Sequence, residues 1–445
     1  MSELKDDVFL QWLKKEVRPA LGCTEPVAIA FAAATACKYL NEPCISIKGF
    51  ISENLYKNAM GVTIPGTCCT GVAMAAAVGV YGGDSDRGLE TLRGLTDEQT
   101  KQAQEMVNNA RVNISAQDTP DFIHIDLTAT GAVNNCRVVI KKSHTRIEEL
   151  YINEKPVTLV SQTEEKDAEA SPQSFSIEDA YNFITAVSLE KIEFILEAGR
   201  LNAALSQEGQ RRPYGLNIAG TLATTVRQGL MSDDLLSRIL INTVAASDAR
   251  MGGAAVTAMS NFGSGNQGIA ATMPVVVLAD ELKSSREELT RALALSHLVA
   301  ISVHARYTRL SALCAASTAA MGAAAGMAWL FTRDLGVIQA TIINMVSDVS
   351  GIICDGASNS CAMKVSTATM SAFRSVLMAR QGIQVSPHDG IVSQNAEQTI
   401  DNLSRLVVKA MPATDREIIH IMTEKAALTH SRVYARKTVQ ETDNE

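Results

Sequence analysis

Two long stretches without a charged residue, 252–279 and 310–331, constrain this chain more than any other feature. Each is long enough to meet the length criterion for a membrane-spanning helix. Their content argues otherwise. The first carries Ser260, Asn261, Ser264, Asn266, Gln267 and Pro274, all costly in hydrocarbon, and the second is dominated by Ala, Ser, Thr and Gly. Small side chains at this density let helices pack closely, so both stretches are expected inside a helical core of a soluble protein, with no membrane partner. A chain of 445 residues has room for two domains, or for one large domain with an insertion.

The grain of the sequence changes along its length. Val8 to Tyr39 shows helical spacing, broken at residues 19–26 by two prolines and a glycine, which places Cys23 in a turn leading into a helix. From Cys44 onward Ile45–Ile51, Phe122–Ala129, Cys136–Lys141 and Glu148–Ile152 read as strands, with helices near Val72–Val80 and Thr96–Asn109. Residues 161–176 are polar and aperiodic and read as a linker. Beyond them the chain is helical, apart from a strand-like run at Pro274–Leu278 that follows a helical-looking Ala254–Met259. The expected fold class is α+β. An N-terminal helical segment, 1–43, joins an all-helical domain at 177–445, and a smaller α/β domain occupies 44–160.

Forty basic residues against 48 acidic ones give a net charge of −8, and no basic stripe or aromatic ladder follows a phosphate backbone, so nucleic acid is not an expected partner. The opening residues, Met1 to Asp7, are charged and lack a signal-peptide pattern; with nine cysteines the expected compartment is the reducing cytoplasm. The density of apolar helices makes a homo-oligomer an open expectation.

Cys314, Cys354 and Cys361 lie in small-residue, apolar text. The last two are seven positions apart, which on a continuous helix would part them by about 10 Å of axial rise. The intervening Asp355-Gly356-Ala357-Ser358-Asn359-Ser360 is a run of turn formers that can fold the chain back, so the spacing predicts a loop. Two readings stand. The thiols are small buried hydrophobes, or they are three ligands of an iron–sulfur cube, which leaves one iron free to act as a Lewis acid.

Other constellations are weaker. Gly263–Gly268 matches the dinucleotide fingerprint in letters, but the strand-like run follows it instead of preceding it; its backbone N–H groups are better used on a small anion such as an amino-acid carboxylate. Ser264 and Asn266 lie there. Asn54, Lys57 and Asn58 form a polar patch after a strand, and Asp248 with Arg250 reads either as an ion pair or as a carboxylate clamp. His297 and His304 read as hydrogen-bonded core residues, and neither zinc spacing nor a Cys-x-x-Cys exists.

At Gly22-Cys23-Thr24-Glu25-Pro26, Ser247–Gly253, Gly263–Pro274 and Cys354–Lys364 the chain resembles the bacterial and archaeal L-cysteine desulfidases, relatives of the iron–sulfur L-serine dehydratase alpha chains. The resemblance runs over most of the length. It implies that Cys314, Cys354 and Cys361 bind a [4Fe–4S] cluster, that Cys23 is the proton acceptor, and that L-cysteine is cleaved by α,β-elimination. The serine enzymes space their last two ligands more widely, in a loop of type Cys-Asp-Pro…Pro-Cys. L-Serine dehydration on the same cluster, or a redox or sensory role without turnover, are the alternatives. For the amino-acid carboxylate the expected ligands are Lys57, Asn58, Arg250, Ser264 and Asn266, and for Cys23 a thiolate favoured by its helix N-terminus.

Overall fold

A computed structural model describes residues 2–158, 175–307 and 311–425, as an α+β fold that is mostly helical. Helices Ser2–Glu16 (α1) and Thr24–Leu40 (α2) flank a short strand, Pro19–Leu21 (β1). Then come Ser46–Ser52 (β2), Glu53–Ala59 (α3), Val72–Gly82 (α4), Asp97–Asn108 (α5), Val112–Gln117 (β3), His124–Thr130 (β4), Asn135–Lys141 (β5), Ile147–Ile152 (β6) and Lys155–Pro156 (β7). The strands form one six-stranded sheet in the order β3-β2-β4-β5-β6-β7, parallel at β2–β3 and antiparallel elsewhere.

Period-two alternation explains why this sheet has a covered face. The register pairs Ile125 with Ile140, Leu127 with Val138 and Ala129 with Cys136, all buried, so one face is apolar along both strands. Helices α2 and α4 cover it. They cross at Gly79, where a Cβ would lie 2.3 Å from the carbonyl oxygen of Ala30, a closeness only glycine permits.

The remaining helices are Ile177–Ala186 (α6), Leu189–Ile192 (α7), Leu196–Arg211 (α8), Ile218–Arg227 (α9), Leu235–Met251 (α10), Gly265–Glu281 (α11), Arg286–His304 (α12), Ala315–Thr332 (α13), Leu335–Val349 (α14), Cys361–Arg380 (α15) and Ala396–Lys409 (α16), with residues 411–425 also helical. The second uncharged stretch becomes α13, buried along nearly its whole length and surrounded by α11, α12, α14 and α15. Its small residues set that spacing: a Cβ on Gly322 would sit 2.2 Å from the Ser296 carbonyl oxygen of α12. No described helix is long and apolar enough to cross a membrane.

Several local expectations need correction. Pro274–Leu278 is not a strand but the middle of α11, because a short apolar run buried on every side carries no period that distinguishes the two. Ala254–Met259 is not helical; Thr257–Met259 (β8) pairs antiparallel with β1, so the C-terminal part is not all helix. Strand β3 and helix α3 are additional. Residues 1–43 divide between two cores: Phe9 and Leu13 of α1, with Val17 just beyond it, pack among the C-terminal helices, whereas α2 packs on the sheet. Of the expected linker, residues 161–174 lie outside the described residues, as do 426–445.

Candidate active site

Main-chain pairing brings the first two of the three cysteines together. The Cys314 N–H donates to Ile352 O (2.9 Å) and the Cys354 N–H to Ala312 O (2.7 Å), around a bridge between Leu313 and Ile353. Cys361 is then returned by a loop, followed at once by α15. The loop's turn at Gly356 has φ 100° and packs so tightly on α3 that a Cβ there would lie 2.5 Å from Lys57 O. Ser358 bridges to Gly61, and Asp355 pairs with Lys364, which closes the loop onto α15.

All three thiols border one cavity. Burial pushes the Cys314 thiol up to about 12 and raises that of Cys361, and in both the nearness of Cys354 adds to the effect. Among the described residues no three His, Cys, Asp or Glu side chains are grouped to hold a single metal ion. A cube of iron and sulfur is wider than one ion and takes its thiolates from further apart. Three soft thiol donors lining one cavity suit such a group by donor chemistry.

Helix starts dominate the cavity wall. Cys23 is the N-cap of α2, Ser264 of α11 and Cys314 of α13, while Cys361 is the first residue of α15; all four residues line the cavity. None of these four helices has a side-chain cap, although serine stands at two of the cap positions. The positive ends of four helix dipoles therefore face one space, with unpartnered first-turn N–H groups at α2, α11 and α13; at α15 the first three N–H groups donate to the carbonyls of Ser358, Asn359 and Ser360.

Arg250 adds a full charge. It is buried on the cavity wall, where Nε donates to Gly22 O (3.0 Å) and Nη1 approaches Met251 Sδ at 3.2 Å. No carboxylate among the described residues pairs with it. Asp248, a partner on sequence grounds, instead accepts from the Ala219 N–H (2.9 Å) at the start of α9. Asn266 accepts from the Ser247 hydroxyl (3.2 Å) and, like Ser264 and Asn58, borders the cavity.

Lys57 does not line the cavity. Its ammonium is buried in an ion pair with Asp415 (2.5 Å) and reaches Cys354 O at 3.5 Å, so it ties the thiol loop to the helical residues 411–425 and is not placed to meet a ligand. A long flexible cation next to a polar loop looks the same in sequence whichever way it turns.

Packed in one cluster with Cys361 and Met251, the Cys23 thiol donates to Glu25 Oε2 (3.1 Å), as does the Thr24 hydroxyl (3.1 Å). Burial and the Glu25 charge raise the Cys23 thiol well above its ordinary range, and Arg250 opposes them; the expected helix-stabilised thiolate is therefore a thiol in the substrate-free protein. Burial would raise Glu25 too, but His144 and the Cys23 thiol outweigh it and hold the carboxyl at about 2. His144 comes from the β5–β6 turn, with Nε2 3.9 Å from Glu25 Oε1.

Glu25, His144, Gln267 and His304 also line the cavity and carried no expectation there. Glu25 and Gln267 sit inside stretches already singled out, Gly22–Pro26 and Gly263–Gly268. His144, from a turn of the sheet, has no local signal that could place it here. His304 lies between Phe262 and Tyr307, with ring centroids 4.7 Å away and tilted by 40° and 35°. His297 is a core residue, bonded to Asn261 and Thr272 and lowered by burial to about 3.

The chain has well-matched relatives. A Klebsiella pneumoniae protein named only as a UPF0597 protein is 60% identical over 418 residues, covering 94% of this chain and 98% of the relative. A UPF0597 protein from Actinobacillus pleuropneumoniae is 48% identical over 427 residues, 95% of this chain and 98% of the relative. The UPF0597 protein YhaM of Salmonella typhimurium is 47% identical over 423 residues, 94% and 97% respectively. The profile of the serine dehydratase alpha chain matches residues 86–420, a span that holds Arg250, Ser264, Asn266 and all three thiols, and the chain belongs to that family.

Proposed function

We propose that this protein is an L-cysteine desulfidase, which converts L-cysteine and water to pyruvate, hydrogen sulfide and ammonia by α,β-elimination. One observation carries the reading: a buried guanidinium with no carboxylate partner among the described residues stands on a cavity where three thiols and four uncapped helix starts meet. Such a cavity calls for an anion beside a thiolate-bound group.

Cys314, Cys354 and Cys361 would hold a [4Fe–4S] cluster, and its open iron would supply a Lewis acid for the β-substituent of the substrate. The protein's own contribution is positioning and charge. Arg250, the side chains of Ser264 and Asn266, and the first N–H groups of α11 hold the α-carboxylate; Asn58 borders the same space. Cys23, as the resemblance implies, receives the α-proton, which it does as the thiolate, its own proton having left to solvent before the elimination. Arg250 is the group that favours its thiolate, and the hydrogen bond to Glu25 fixes where its sulfur stands. The Cα–H and Cβ–S bonds break, the sulfur leaves as sulfide, and the released aminoacrylate hydrolyses to pyruvate and ammonium.

L-Serine dehydration is the second reading, favoured by the family profile. The short Cys-Asp-Gly…Ser-Cys loop favours the sulfur substrate. Anaerobically purified, iron-loaded protein is expected to release sulfide and pyruvate from L-cysteine. Pyruvate from L-serine with no sulfide from L-cysteine would move it to the dehydratases.

A further inference from the structure

The cavity lined by Arg250 also holds a negative charge, for which the elimination reading names no ligand group. Among the described residues lining the cavity, Glu25 is the one carboxylate and Arg250 the one guanidinium. Glu25 is only 8% exposed. Its Oε2 accepts from the Cys23 thiol and the Thr24 hydroxyl, while its Oε1 faces His144 Nε2 across 3.9 Å, longer than a hydrogen bond. The carboxylate is thus fixed by one oxygen and has acceptor capacity on the other. In the same lining Gln267 Oε1 and His144 Nε2 are buried without a hydrogen-bond partner among the described residues. Charges buried without full compensation are costly unless a ligand supplies the missing partner.

We infer that Glu25 accepts the substrate's α-ammonium group, so that Glu25 and Arg250 together select free zwitterionic α-amino acids, with His144 positioning the carboxylate from the sheet. This rests on the amino-acid reading above and assigns a specificity-determining residue within it. An acid lacking the ammonium group keeps the Arg250 contact and leaves Glu25 unpaired. A peptide loses one of the two charges.

L-Alanine and propionate share a carbon skeleton and have no leaving group, so their binding reports neither turnover nor iron chemistry. In ligand-observed NMR titrations the wild-type protein is expected to bind L-alanine about 100-fold more tightly than propionate, in line with the weight of a buried charge pair. Glu25→Gln should cut that preference below about tenfold by weakening L-alanine alone, and Glu25→Asp, which keeps the charge, should restore part of it. Arg250→Met should weaken both ligands together. Equal loss of both ligands in Glu25→Gln would make Glu25 merely structural and overturn the assignment. So would a wild type that binds the two alike, which needs no variant to fold. A wild type that binds neither would overturn the amino-acid reading itself.

Discussion

Two kinds of helix start coexist in this molecule. Away from the cavity, Thr96, Ser176 and Ser285 close full capping boxes on α5, α6 and α12, and Asp234, Asp334 and Asn395 cap α10, α14 and α16 with their side chains. At the cavity, α2, α11, α13 and α15 begin with no side-chain cap at all. A side-chain cap typically contributes about 1 kcal/mol, so the missing caps on α2, α11 and α13 are stability forgone where a ligand can use the N–H groups instead, whereas those of α15 are taken by the turn before it. The N-caps of α3, α4, α7, α8 and α9 also make no side-chain bond, so it is the convergence of four such starts on one cavity, not the missing cap itself, that marks the site.

The largest expected effect comes from removing the cation at the uncapped ends. Arg250→Met should lower kcat/KM for L-cysteine by about 10²- to 10³-fold while iron content is unchanged, since a buried hydrogen-bonded charge pair is worth about 2–5 kcal/mol. Next is the tie beneath the thiol loop. Lys57→Met leaves Asp415 buried without its partner, so urea unfolding should show a loss of about 3–5 kcal/mol, with the iron lost more readily than from wild type.

The third test concerns a helix start capped from another helix. Asp248 on α10 accepts the Ala219 N–H, yet its second oxygen has no partner and burial raises its pKa to about 6. A carboxyl raised on folding binds its proton more tightly in the native state, so stability falls as pH rises from about 4 through 6 and stays lower above that. Asp248→Asn removes this penalty, and its unfolding free energy at pH 8 should exceed that of wild type by roughly 2–3 kcal/mol, with the advantage gone at pH 4. The smallest effect is the control. Ser285→Ala should cost about 1 kcal/mol in thermal or urea unfolding and leave kcat and KM unchanged, because that cap serves only its own helix.

What could be read from the sequence follows the range of the forces involved. The turn between Cys354 and Cys361 was legible because five of the six residues between them are turn formers acting locally, and the burial of α13 because its composition permits little else. The pairing of β1 with β8 was not, since each strand is three residues long and its partner is distant in the chain. The fate of a charged side chain was equally hidden. Arg250 turns to the cavity and Lys57 to Asp415, and only the packing around each decides that. Glu25 gains its weight from His144, which a turn of the sheet delivers to a helical site.

The most direct test of the account is an absorbance and EPR titration of anaerobic, iron-loaded protein with L-cysteine. The account predicts a saturable spectral change in wild type that disappears in Arg250→Met at equal iron content. A spectrum indifferent to L-cysteine, or one that changes identically in the two proteins, would contradict a substrate held between the guanidinium and the three thiols.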